Sequence, residues 1–235
     1  MKRLFLVVLI LVTSAVHAQR AGSFDSLTQG QSLSGFRTEA VYLNDSGMAI
    51  GARLVHARSG FTLDLLQIQS VPQAFVWVTT FPTSNMGEPH TQEHLLLGKG
   101  NKGRAVANQE SMSLSVSTAF TMQWRTCYSF YTSAGADVFH DEFQRRLDAL
   151  LHPDYTDEEI RREVRNFGIT ESAGPVGTPP RLGLEEKGSV YNEMVSSTAG
   201  PFSKLYREMR HLVWGPNHFS AGPWQPSQVT PSLTS

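Results

Sequence analysis

The sequence is poor in several things, and each absence narrows the field. It has one cysteine, Cys127, in 235 residues. No internal disulfide is therefore available, and no zinc site can be assembled from thiolates. Neither sign of charge is in excess: 20 Lys and Arg face 21 Asp and Glu, for a formal net charge of -1. There is no basic surplus of the kind that binds nucleic acid, and no acidic tail for a cationic partner. No internal repeat is present, and no apolar run approaches the ~20 residues that a membrane-spanning helix needs. The longest run, Leu4 to Val12, follows Lys2 and Arg3 and leads to Val16-His17-Ala18. A basic start, a short apolar core and small residues at the cleavage positions are the layout of a secretory signal peptide over residues 1–18. The competing reading, an uncleaved anchor, suffers from the shortness of that core. The expected mature chain is exported, to the periplasm or outside the cell, and keeps no stable membrane span. A lone cysteine suits an oxidising compartment because it has nothing to mispair with.

What is present reads as an ordinary globular chain. Hydrophobic residues make up 40% and charged residues 17%, enough to bury a core. Residues 19–37 are polar and rich in Ser, Gly and Gln, and read as a leader. Short alternating segments follow, at Thr38 to Leu43, Ala49 to Ala57 and Thr62 to Gln69, with Asn44-Asp45-Ser46-Gly47 and Arg58-Ser59-Gly60 as turns. Ala74 to Thr80 is a compact apolar run, expected to be a buried strand. A helix opening at Pro89 should run from His90 to about Leu97 and stop at Gly98. Lys99 to Gln109, polar and glycine-rich, is expected to be a loop. Two more strands are expected at Ser113 to Phe120 and Thr126 to Thr132. Asp137 to Leu151 is an amphipathic helix, with Val138, Phe139, Phe143, Leu147, Leu150 and Leu151 on one face. Thr156 and Glu159 form a capping box for a helix to about Phe167. Further helices are expected from about Leu184 to Val195 and Pro201 to Val213. Strands first and helices later, without regular βαβ alternation, indicate an α+β fold with a mostly antiparallel sheet packed against helices. The domain is expected over residues 38–214, followed by an irregular tail at 215–235.

The chemistry is concentrated in His90-Thr91-Gln92-Glu93-His94. Residues four apart on a helix lie on one face, so both imidazoles can address a single metal ion. Glu93 lies near the same face, where it can act as a general base toward a water activated by the metal. The order His-x-x-Glu-His is the inverse of the commoner zinc motif and marks the inverzincins. The competing reading is a surface helix that carries two histidines. A catalytic zinc needs a third protein ligand and an open position. Glu185, Glu186 and Glu193 are the downstream candidates. They lie in one expected helical stretch, where Glu186 and Glu193 are two turns apart on one face, so that one can ligate and the other stand behind it. A solvated acidic face is the alternative for each. His140, His152, His211 and His218 lack metal spacing, and Cys127 reads as a packed thiol.

Several segments together resemble the pitrilysin/insulinase family of zinc peptidases, nearest its presequence-protease branch. They are Gly87-Glu88-Pro89-His90-Thr91-Gln92-Glu93-His94, Arg125-Thr126-Cys127-Tyr128, the helix from Asp141 to Pro153, Glu158 to Val164, and Lys187 to Met194. They lie in the family's order between about Val41 and His218, and the spacing from His94 to Glu193 is that of the branch. The resemblance implies one Zn2+ per chain, held by His90, His94 and Glu193, with Glu93 as the base and Glu186 as a carboxylate behind the ligands. It implies a substrate-binding strand at Thr118, Ala119 and Phe120, onto whose edge an extended peptide adds. The family usually carries Asn-Ala where this chain has Thr118-Ala119, so an amide contact is lost. The implied activity is endopeptidase cleavage of short unstructured peptides. Members of the branch are long chains whose two halves close around the substrate. This chain is therefore expected to be a truncated, frameshifted or partial product. The alternative to an endopeptidase is a non-catalytic fragment or subunit that binds zinc or peptide but needs a missing C-terminal half, or a partner subunit, for turnover.

Overall fold

The structure, a computed structural model, describes residues 24–81 and 86–221. The expected signal peptide at 1–18 and the end of the tail at 222–235 lie outside the described residues. The described chain is α+β, and its strand pairs are all antiparallel. It divides into two compact units, with the boundary between Ser70 and Val71.

The first unit is a four-stranded meander of β1 (Ser32–Leu33), β2 (Phe36–Leu43), β3 (Ala49–His56) and β4 (Thr62–Leu66). The expected leader is part of it. Ser34 and Gly35 both take positive φ, at 50° and 84°, which is the conformation of a two-residue hairpin turn. That turn folds Ser32–Leu33 back onto β2, and Gln31 and Thr38 extend the ladder, with a bond from the Thr38 amide to the Gln31 carbonyl at 2.8 Å. The turn after β2 forms as its sequence suggests: the Asn44 side-chain oxygen accepts from the amides of Ser46 and Met48. Gly51 is required on β3, because a Cβ there would lie 2.3 Å from the Leu65 carbonyl oxygen.

The second unit carries the motif. Its sheet has the order β5-β7-β6, with β5 (Gln73–Thr79), β6 (Ser115–Thr121) and β7 (Arg125–Thr132). Only β7 is central, and Thr126, Cys127, Tyr128 and Phe130 on it are buried. The expected buried strand at 74–80 is instead an edge, and Phe75, Trp77 and Val78 on it are exposed. Continuous apolar composition marks a strand here but not its depth.

Helix α1 (Glu88–Gly98) begins with Pro89 in its first turn, and α2 (Gly100–Glu110) follows it after a single residue. The second helix replaces the expected loop. Its composition is unfavourable, with Gly100 and Gly103 among few apolar residues, but its N-terminus is capped from far along the chain. The Gly100 amide donates to the Glu159 carboxylate at 3.1 Å, and the Lys102 amide donates to Asp154 at 3.1 Å. Carboxylates at a helix N-terminus satisfy free amides and oppose the positive end of the dipole.

Helix α3 (Ala136–Leu151) packs Phe139 and Phe143 in a stack on Phe130 of β7. Its most buried residues also include Glu142 and Arg146, while Leu151 is exposed. Arg146 is accommodated by ion pairs to Glu110 and Glu142, and by the Phe130 ring. Helix α4 (Asp157–Val164) has the expected capping box but ends before Phe167, which opens a ribbon of β8 (Phe167–Ser172) and β9 (Arg181–Glu186). The expected helix over 184–195 is thus strand up to Glu186, and α5 begins only at Ser189 (Ser189–Ala199). Helix α6 (Pro201–Trp214) follows at once. The tail is not wholly irregular: Phe219–Ala221 forms a 3-10 turn, and Arg210 donates to the Ser220 carbonyl.

The main core is small and directly behind the motif. Leu95 of α1, Ile160 and Val164 of α4, and Val190 and Met194 of α5 form one buried cluster, covered by Tyr155 and Tyr191. Burying each of these side chains is worth roughly 1.5–3 kcal/mol. Three of them directly follow a polar residue of the candidate site: Leu95 follows His94, Val164 follows Glu163, and Met194 follows Glu193. Packing that fixes the apolar member of each pair also fixes its neighbour.

Candidate metal centre

The helix α1 presents His90, Glu93 and His94 from adjacent turns. The helix is anchored by Leu95, which is 2% exposed. His90 and Glu93 are buried and His94 is partly exposed. The two imidazole Nε2 atoms are 3.2 Å apart, with their rings nearly perpendicular at 85°. Glu193 arrives from α5, its Oε1 3.3 Å from His90 Nε2 and its Oε2 3.1 Å from His94 Nε2. His90, His94 and Glu193 therefore make a group that could hold a metal ion.

The donor set can be tested against a cation. Two imidazole nitrogens and one carboxylate offer lone pairs toward one point. A tetrahedral ion with bonds of ~2.0–2.1 Å separates its ligand atoms by about 3.3–3.4 Å. The two imidazole Nε2 atoms, 3.2 Å apart, come close to that spacing. Each has a different Glu193 oxygen at 3.3 or 3.1 Å, and one ligand atom from each residue lies within 4.8 Å of the others. Three protein ligands leave one position open, as a catalytic rather than a structural site requires. The fit is good.

Glu193 reaches the histidines because α5 lies tightly against the end of α4. Gly188, just before α5, allows this: a Cβ there would lie 2.4 Å from Arg165 Cα and 2.6 Å from the Val164 carbonyl oxygen. No larger residue fits without moving the helix.

Glu186 does not share a helical face with Glu193, because it ends β9. Its carboxylate accepts from Arg165 at 2.8 Å, from the Asn166 amide at 3.0 Å and from the Gly188 amide at 3.1 Å. It ties the entry of α5 to the exit of α4. Glu185 pairs instead with Lys187. Besides Glu193, Glu163 of α4 is a carboxylate in contact with a histidine of the group: its Oε1 is 2.9 Å from His94 Nδ1. Its other oxygen is 2.8 Å from Lys99 Nζ. Sequence reasoning passed over Glu163 because it sits in the charged run Glu158 to Glu163, where a solvated face is the natural reading. The one available signal was its place beside Val164 at the apolar edge of that helix.

Electrostatics separates the two histidines. Burial pushes the His90 pKa down, against the pull of Glu193. The hydrogen bond with Glu163 pushes the His94 pKa up, against burial. Burial disfavours the charged form of Glu163 as well, but the bonds from His94 and Lys99 outweigh it and hold its pKa at about 2.

Glu93 is set apart from the three converging ligands. The Thr121 hydroxyl donates to its Oε2 at 2.6 Å. Thr121 also contacts Thr126, which contacts Thr80, so a line of hydroxyls crosses β6, β7 and the end of β5. The base candidate is thereby fixed to the last residue of the strand on which the substrate residues were expected. Thr118 and Phe120 on β6 are exposed and Ala119 is half-buried. Strand β6 pairs with β7 on one side and has no strand on its other side among the described residues. Cys127 is a fully buried thiol whose pKa burial raises, as a packed thiol requires.

No protein-family model matches the chain. Over 121 residues, half of its length, it is 33% identical to an uncharacterized protein of Saccharomyces cerevisiae. The matched region spans 10% of that protein. No helix among the described residues is long and apolar enough to cross a membrane.

Proposed function

We propose that this chain carries the metal-binding and base-bearing part of a zinc-dependent endopeptidase of the pitrilysin/insulinase type, acting on short unstructured peptides outside the cytoplasm. The observation that carries the reading is the meeting of His90, His94 and Glu193 within 3.1 to 3.3 Å beside a separately held Glu93. Nitrogen and oxygen donors in this number suit zinc, and a zinc ion bound there would supply the Lewis acid that polarises a peptide carbonyl and makes water acidic.

The chain's own residues supply the rest. An extended peptide adds to the free edge of β6 through main-chain hydrogen bonds, beside Thr118, Ala119 and Phe120. That places its backbone along the strand that ends at Thr121, where Glu93 is held. Thr121 engages Glu93 Oε2, leaving Oε1 to take a proton from the attacking water. The same carboxyl then returns the proton to the amine that leaves. General acid–base catalysis of this kind contributes roughly 10²–10⁴-fold.

A second reading is supported by the exposure of α6, on which Phe202 is 84% and Leu212 87% exposed. Apolar surface of that kind is normally covered. In this reading the chain binds zinc or peptide but turns over only with a further half or a partner subunit. Zinc content and peptide cleavage, measured together on the wild-type chain and on Glu93→Gln, separate the two. Stoichiometric zinc with cleavage abolished by Glu93→Gln is the expected result. Stoichiometric zinc without Glu93-dependent cleavage selects the second reading, and no zinc in metal-replete protein refutes the metal-binding form of both.

A further inference from the structure

Glu163 and Lys99 have no place in the chemistry proposed above, yet they form a line into it. Lys99 Nζ is 2.8 Å from Glu163 Oε2, and Glu163 Oε1 is 2.9 Å from His94 Nδ1. Glu163 is 5% exposed, so its carboxylate has little access to water beyond these bonds. It is the residue before Val164, which is completely buried in the core between α1, α4 and α5. Its backbone is fixed by that packing, and Lys99 restrains the rotation of its carboxylate. A carboxylate only accepts hydrogen bonds, so the imidazole nitrogen facing it must carry the hydrogen. In a neutral ring the lone pair then belongs to the other nitrogen, Nε2. That is the atom lying 3.2 Å from His90 Nε2 and 3.1 Å from Glu193 Oε2.

We infer that Glu163, held by Lys99, is a positioning residue that fixes the ring orientation and tautomer of His94 so that Nε2 faces the metal. The inference rests on the proposed metal site. Carboxylate partners of this kind orient ligating histidines and raise their basicity, and their loss weakens metal binding by about 10- to 100-fold. The family resemblance implies Glu186 as the carboxylate behind the ligands; its bonds run to Arg165, Asn166 and Gly188 at the junction of β9 and α5.

The test uses the full chain and Zn2+ in competition with a chromophoric chelator. Glu163→Gln keeps the shape but removes the charge. It should weaken zinc binding by about 10- to 100-fold with an unchanged far-ultraviolet circular dichroism spectrum. Lys99→Met, at a partly exposed position, should give a smaller loss in the same direction. Imidazole nitrogen chemical shifts of the metal-free wild type, at a pH well above the imidazole range, should report His94 as the Nδ1–H tautomer. In Glu163→Leu that preference should be lost. Zinc affinity of Glu163→Gln within about threefold of wild type, or an Nε2–H tautomer in the wild type, overturns the inference. A wild-type chain that takes up no zinc overturns the proposed function instead. The tautomer, measured without metal, then still decides whether Glu163 sets the ring.

Discussion

Replacing Gly188 with alanine should damage the metal centre from outside it. The glycine has φ -64°, so alanine brings no backbone strain. The whole effect is steric. The added methyl would lie 2.4 Å from Arg165 Cα, 2.6 Å from the Val164 carbonyl oxygen and 2.8 Å from the Arg165 amide nitrogen. Ordinary contact between such atoms begins near 3.5 Å, so the start of α5 must retreat by about 1 Å. All three neighbours are backbone atoms that cannot rotate aside. Overpacking of this kind costs about 1–3 kcal/mol. Glu193 lies in the second turn of α5, and the shift carries its carboxylate with it. Contacts now at 3.1 and 3.3 Å would open to roughly 4 Å, beyond the ~3.4 Å spacing of a tetrahedral zinc site. Thermal unfolding with and without zinc, and chelator competition, measure both consequences. A lower Tm in the absence of metal and at least a tenfold loss of zinc affinity are expected. Gly200→Ala is the control: it is also a helix N-cap, but the added methyl would meet only Ser203 Oγ at 3.9 Å. A Gly188→Ala chain with wild-type Tm and wild-type zinc affinity refutes the claim that close packing of α5 on α4 delivers the third ligand.

Other outcomes follow from the same geometry. Zinc at a hundredfold excess over its Kd should stabilise the wild type by ~2.7 kcal/mol, and His90→Ala should abolish that gain in a thermal shift measurement. Leu95→Ala should cost about 2–5 kcal/mol in urea unfolding and weaken zinc binding too, because Leu95 seats the helix that carries both histidines. Thr121→Val removes a hydrogen bond to the buried Glu93 carboxylate and should cost roughly 1.5–3 kcal/mol, measured in the same way. Acid should expose the role of Glu159. Burial works against its ionisation, but the amides of Thr156 and Gly100 and the side chain of Arg104 outweigh it and hold its pKa at about 2. A pKa lower in the folded chain means stability that is complete above the unfolded value of ~4.3 and lost as pH falls through the folded one. Between those limits Glu159→Gln should show a shallower loss of stability than wild type. An equal slope in acid titrations followed by circular dichroism would contradict the bond network around α2.

The sequence alone determined whatever depends on neighbours a few residues apart. The spacing of His90 and His94 places both imidazoles on one face of a helix because the helix repeat is local. The capping box at Thr156 and Glu159 is legible for the same reason, and the turn at Asn44 forms from its own side chain. The order of strands and helices, and hence the α+β class, also came from local periodicity. Tertiary structure decided everything that needed distant partners. Helix α2 exists where composition predicted a loop because Asp154 and Glu159, more than 50 residues away, cap its N-terminus. Strand β5 is exposed because it is an edge, and edge or centre is a property of the sheet, not of a run of apolar residues. Glu186 and Glu163 divide most clearly along this line. An assumed helix put Glu186 and Glu193 on one face through a seven-residue spacing, but Glu186 ends β9 and α5 begins only at Ser189. Glu163 meets His94 from 69 residues away in the sequence, brought to it by burial of Leu95, Val164, Val190 and Met194 in one core.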